Sequence, residues 1–227
     1  HYILLSIEIS LLILYSANPF RLKKNLYLAP LLDALYSGTV FYVLAISVNY
    51  QLSPNLPLAK KCSLALMFIW ALSKGLRNIV MHLLSDAKHD AIILNVTVGT
   101  MYEDINVLRF LWLVIYPTEV LSFCGFSLFS NDLSGWLLLA SFLISERNSL
   151  MSMLFNSFKE PSRAGLFAVN VFYESIFPLV VLFCLIVSVD WSYLVYLVAM
   201  IACFSGIRNT CYKFLLSPLK RLRSLAK

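Results

Sequence analysis

The chain has 227 residues, of which 60% are hydrophobic and only 13% are charged, and its net charge is +6. A soluble domain carries roughly a quarter charged residues, so this chain has too few to cover a water-facing surface and is expected to meet lipid. Its positive charge does not signal nucleic acid, because Lys and Arg fall between apolar stretches, where membrane topology uses them.

Seven apolar stretches follow one another, at 2–17, 29–49, 62–84, 105–129, 133–155, 166–189 and 191–208. A span needs about 20 residues at a rise of about 1.5 Å each. The expected fold class is therefore all-α, a polytopic transmembrane helical bundle of six to seven spans. The first stretch is short and begins at the second residue, with no basic segment before it, so the chain reads as cut inside or just before a helix. The fifth is interrupted by Glu146-Arg147, which either reach the interface or face the bundle interior. Placing the 18–28 connection in the cytoplasm puts Arg21, Lys23, Lys24, Lys74, Arg77, Lys88, Arg109, Lys159, Arg163 and the basic tail on one side, leaving Lys60 and Lys61 outside. Asn131-Asp132 and Asp190 mark tight external turns. The five cysteines stand singly, without the Cys-x-x-Cys or Cys/His spacing of a zinc site, and read as buried small hydrophobes.

Two polar motifs share the cytoplasmic side of this topology. The first is Tyr15-Ser16-Ala17-Asn18-Pro19-Phe20-Arg21-Leu22-Lys23, at the end of the first stretch. The second is Asp86 and Asp90, four residues apart after the third. Residues at that spacing share a helix face, and two carboxylates there can hold one Mg²⁺ against a phosphate, since magnesium prefers one or two carboxylates plus substrate oxygens and water. The plain alternatives are charges of a hydrated loop for the aspartates and a topology anchor for Arg21, Lys23 and Lys24. Like charges at this spacing repel, so a cation or a base such as Lys88 or Arg77 is expected beside them. Asp33, near the cytoplasmic start of the second stretch, either joins the site or caps its helix. Glu119 and Glu174 lie deeper, where carboxylates need partners, and read as interhelical hydrogen-bond anchors in preference to a pocket lining.

Taken together, the two motifs resemble those of the UbiA superfamily of intramembrane prenyltransferases, in the second half of its fold. Tyr15, Ser16, Pro19, Arg21 and Lys23 match its Tyr-Ser-x-x-Pro-x-Arg-x-Lys stretch. His82-Leu83-Leu84-x-Asp86-x-x-x-Asp90 is similar to its second aspartate motif, with Thr97 at the position of a following Thr. Tyr116-Pro117-Thr118-Glu119 and Asn170-Val171-Phe172-Tyr173-Glu174 with Pro178 look like segments of a bacterial branch. The chain departs from the pattern at Leu94, where the family has Gly, and at Ala91-Ile92-Ile93, where it has basic residues. Its first aspartate motif, Asn-x-x-x-Asp-x-x-x-Asp, is expected upstream of His1.

The resemblance implies one transmembrane prenyltransferase-like domain over 1–227, a fragment lacking the N-terminal helices and inactive by itself. It implies a multi-pass protein of a bacterial plasma membrane that moves a polyprenyl group from an allylic diphosphate to an aromatic or other lipophilic acceptor, with Mg²⁺ as cofactor. Asp86 and Asp90 would be the metal ligands, with Tyr15 and Lys23 acting beside them at the diphosphate. Arg21, Arg77, Asn78 and Lys88 would bind substrate. Other readings are a non-enzymatic transporter or scaffold, or a degenerate homologue that binds prenyl diphosphate without turning it over.

Overall fold

The structure is a computed structural model that describes residues 2–40, 42–44, 56–92, 96–130, 133–147, 166, 170, 172–204 and 207. It is all-helical, with no strand among the described residues. The helices are α1 (Tyr2–Ser16), α2 (Leu28–Ala34), α3 (Leu58–Ile92), the short α4 (Val98–Met101), α5 (Asp104–Ser130), α6 (Leu133–Ser145), α7 (Phe172–Ser188) and α8 (Trp191–Cys203). Of these, α3 and α5 are long and apolar enough to cross a membrane, whereas the other apolar helices are shorter. Large apolar side chains stay exposed along both, among them Phe68 and Ile69 on α3 and Leu113, Val114, Leu121 and Leu128 on α5. The predicted stretches at 2–17 and 105–129 agree closely with α1 and α5. The third runs well past its predicted end, because α3 spans 35 residues. At about 1.5 Å per residue that is roughly 50 Å, against a hydrocarbon thickness of about 30 Å. Such a helix can cross a bilayer and still project several turns, and Asp86 and Asp90 lie in its last two. Residues 49–55 of the connection expected at 49–61, Asn131-Asp132 and the basic tail lie outside the described residues.

The chain forms two compact units, one of residues 1–130 with 151–166 and one of 131–150 with 167–227. In the first, α3 is the central helix. It packs along α5, across α2, and against α4 at its C-terminal end. Small residues set the approach. A Cβ on Gly75 would come within 2.9 Å of the Ala34 backbone in α2, and one on Gly125 within 2.8 Å of Leu66. The α3–α5 seam is filled by Trp70, whose ring lies 5.5 Å from Phe123 and 6.3 Å, nearly parallel, from Phe126. Lys74 donates to the Tyr42 hydroxyl (2.9 Å) and stands over the rings of Tyr42 and Trp70. Its long stem and aromatic contacts let it sit within an apolar helix.

The second unit is organised around aromatics, with Phe142 of α6 5.1 Å from Phe172 and 6.3 Å from Tyr173. Here α6 ends at Ser145, just ahead of the Glu146-Arg147 interruption. Asp190 accepts from the Ser192 amide (2.8 Å) and caps the turn that opens α8, which fits its predicted place in a tight turn. Helix α2 runs into a π turn at Leu35–Thr39, and further π turns lie at Leu111–Ile115 in α5 and Phe172–Ile176 in α7. The last two end just before Tyr116-Pro117 and Phe177-Pro178. Proline has no N–H for the carbonyl four residues back and clashes with it, and a wider turn upstream relieves both problems.

Candidate functional site

The two sequence motifs meet at one end of the first unit. After α1, the backbone turns through Arg21, whose φ of 37° and ψ of 50° place it in the left-handed region. That conformation costs a non-glycine residue about 1–2 kcal/mol, and here the Arg21 amide bonds the Ala17 carbonyl (2.7 Å). The turn leads into a short 3₁₀ segment, Leu22–Lys24, and then to Asn25. The Asn25 side chain accepts from the amides of Tyr27 (3.1 Å) and Leu28 (3.0 Å), satisfying two free donors at the start of α2.

From the other side comes the C-terminal part of α3. Asn78, His82, Asp86 and Asp90 follow one another at intervals of four and so form one ridge. Asp86 is exposed, whereas Asp90 is buried. The difference comes from α4, which folds back against α3 just beyond it. The Thr97 hydroxyl donates to Asp90 Oδ2 (3.3 Å), while Thr97 and Thr100 cap the turn reciprocally. This return needs Gly99: a Cβ there would strike the Leu83 carbonyl oxygen and lie 2.9 Å from the carbonyl carbon.

A narrow cleft of about 40 Å³ lies where these segments converge. Tyr15 and Lys23 line it from the first motif with Asn25 just after it, and Leu83 and Thr97 from the second with Ile79 just before it. It shares Leu26, Pro30 and Val98 with a larger, mainly apolar groove of about 540 Å³, walled by Leu76, Val80, Val107, Phe110 and Ile115 and edged by Tyr27, Tyr102 and Asn106. The hydroxyls of Tyr27 and Tyr102 are 2.8 Å apart. That bond holds the Tyr102 hydroxyl above the ordinary phenol range. On the far side of Tyr15, its ring lies 5.2 Å from Tyr36, whose hydroxyl donates to Asp33 (3.1 Å).

Tyr15, Lys23 and Thr97 thus line one cleft, whereas Asp86 and Asp90 do not: Asp90 is tied to it through Thr97, and Asp86 lies one turn earlier on α3. Arg21 and Lys88 are exposed and Asn78 is half-buried. Arg77 is placed differently from the expectation that it lies at the cytoplasmic face as a partner for the aspartates or the substrate. It is fully buried within α3, its Nε 2.7 Å and its Nη2 3.1 Å from the two carboxylate oxygens of Glu119, and its Nη1 donates to the Leu166 carbonyl (2.7 Å). Nine residues of helix, roughly 13 Å, separate it from Asp86. A buried guanidinium requires a buried carboxylate, and Glu119 supplies it, as the reading of Glu119 as an interhelical anchor anticipated. Lys74 and Arg77 therefore do not count as loop charges in the topology.

The residues fit magnesium by donor chemistry. They offer oxygen only, from two carboxylates four apart, and leave coordination positions for phosphate and water. No group of three His, Cys, Asp or Glu side chains gathers among the described residues, so this is not a closed protein cage. Sequence reasoning missed Asn25, Tyr27 and Tyr102. Asn25 carries a legible signal, an Asn just ahead of an apolar run, which is a helix-start pattern. The two tyrosines carry none, because their pairing joins residues 75 apart.

No protein-family model, curated protein or solved structure matches the chain.

Proposed function

We propose that this chain belongs to a membrane-embedded prenyltransferase, a polytopic bundle whose site faces the cytoplasm and acts on an allylic diphosphate. The observation that carries the reading is that a cleft holding the polar side chains of Tyr15, Lys23, Asn25 and Thr97 shares Leu26, Pro30 and Val98 with the apolar groove. An amphiphile with an anionic head and a hydrocarbon tail needs that pairing. A cleft of about 40 Å³ admits little more than one water, whose share of liquid volume is about 30 Å³. The diphosphate therefore sits at the rim, between Lys23 and the Asp86–Asp90 ridge, and its tail lies along the groove.

In this reading Lys23 and Arg21 neutralise charge growing on the departing diphosphate as the C1–O bond breaks, and Tyr15 donates a hydrogen bond to it. Asp86 and Asp90 would hold Mg²⁺, which would supply positive charge to offset that of the diphosphate. Thr97 fixes one oxygen of Asp90 and so orients the carboxylate. The acceptor bonds to C1 and loses a proton to solvent.

The test is Mg²⁺-dependent prenyl transfer by the full-length protein in membranes. Asp86→Ala is expected to abolish turnover while the protein stays folded and inserted. Turnover within about threefold of wild type, a difference of less than about 1 kcal/mol, would make Asp86 an ordinary surface charge. Sidedness is checked separately by cysteine labelling of intact cells, which should reach Lys60→Cys and not Lys88→Cys. Labelling at position 88 from outside would put the site on the wrong face.

A further inference from the structure

Tyr27 and Tyr102 stand apart from the motifs, yet both edge the apolar groove, and both are exposed, at 69% and 44%. Their hydroxyls meet at 2.8 Å, so the bond joins two exposed residues of the groove lining. Each tyrosine is also tied to a different motif. Tyr27 follows Lys23 by four residues, and its amide is held by Asn25, which lines the cleft. Tyr102 follows α4, whose N-cap, Thr97, grips Asp90.

We propose that Tyr27 and Tyr102 form a bar across the mouth of the groove, which opens to admit a lipid tail and re-forms over it. The inference rests on the functional reading above, since it takes the groove as the seat of the tail. A neutral hydrogen bond between exposed hydroxyls exchanges readily with water, so the bar opens without unfolding anything around it. Its two ends hang from segments that flank the cleft. An anionic head drawn toward Lys23 and the aspartate ridge pulls both segments inward and favours closure. The bar thereby selects amphiphiles that bring head and tail together over free hydrocarbon that merely dissolves in the groove.

The test compares two probes on the full-length protein in nanodiscs with Mg²⁺: farnesyl diphosphate, which has a tail, and inorganic diphosphate, which has none. Tyr27→Phe and Tyr102→Phe keep the rings and remove the bond. Each is expected to raise the association rate of farnesyl diphosphate at least about threefold, with its dissociation rate rising too. The double variant should do no more than either single, because both remove one bond. Inorganic diphosphate should bind all four proteins alike. As a second approach, cysteines at 27 and 102 joined by a short bis-maleimide should block farnesyl diphosphate and spare inorganic diphosphate. Unchanged farnesyl rates in the Phe variants, or equal shifts for both probes, would overturn the bar and leave the functional reading intact. Binding of neither probe by any variant would overturn both.

Discussion

Helix α3 carries two acid–base arrangements that differ in what surrounds them. At Arg77 the charge is sealed: guanidinium and Glu119 carboxylate are both 0% exposed and doubly bonded, and the remaining nitrogen meets a carbonyl. At the C-terminal end the two carboxylates differ, with Asp86 exposed and Asp90 buried and held by Thr97. A sealed pair has exchanged its hydration for a partner and has no valence left for a ligand, so it fixes how α3 and α5 meet. An exposed carboxylate such as Asp86 keeps its hydration, which a cation and its own ligands can replace. The comparison teaches that burial of both partners marks architecture, and that a carboxylate left exposed at a helix end stays available to a ligand.

Breaking the sealed pair should have the largest effect. Arg77→Ala or Glu119→Ala leaves one buried charge unpaired, which costs about 3–5 kcal/mol. Either variant should fail to accumulate as folded protein, as judged by detergent-solubilised thermal unfolding. The paired replacement Arg77→Met with Glu119→Leu should recover most of that loss, because the interior then holds no orphaned charge. If it is as unstable as the single variants, packing of the guanidinium stem and the lost Leu166 contact outweigh the electrostatics.

Gly99→Ala sharpens the comparison at the open end. The added methyl would strike the Leu83 carbonyl of α3, a backbone group that cannot rotate away. Overpacking of this kind costs about 1–3 kcal/mol, and here the strain is relieved by lifting α4 and freeing Asp90 from Thr97. Hydrogen exchange should accelerate at 97–101 and stay unchanged around Arg77. Acceleration spread over all of α3 would mean that the two ends are not independent.

The smallest effect separates an anchor from a clamp. A topology anchor needs positive charge near the membrane, whereas a clamp needs it at one position. Lys23 lines the cleft, so Lys23→Ala should cut turnover at least about tenfold, equivalent to about 1.4 kcal/mol of transition-state stabilisation. Lys24→Ala should change it by less than about threefold. Equal losses would return both residues to the role of anchor.

Composition and the spacing of apolar residues were enough to read an all-helical chain, the extents of α1 and α5, and the membership of Glu119 in an interhelical contact. These follow from local rules: a long apolar run must satisfy its backbone within itself, and a deep carboxylate must find a cation. The same rules misread Arg77, because adjacency in sequence to a basic cluster says nothing about which carboxylate a helix packing will deliver forty residues later. The unequal burial of Asp86 and Asp90 was likewise invisible, since it depends on α4 folding back over a glycine. The groove, the residues it shares with the cleft, and the Tyr27–Tyr102 pair belong wholly to tertiary structure. They join residues separated by tens of positions, and side-chain pairing at that distance is fixed by how the helices pack rather than by any local pattern.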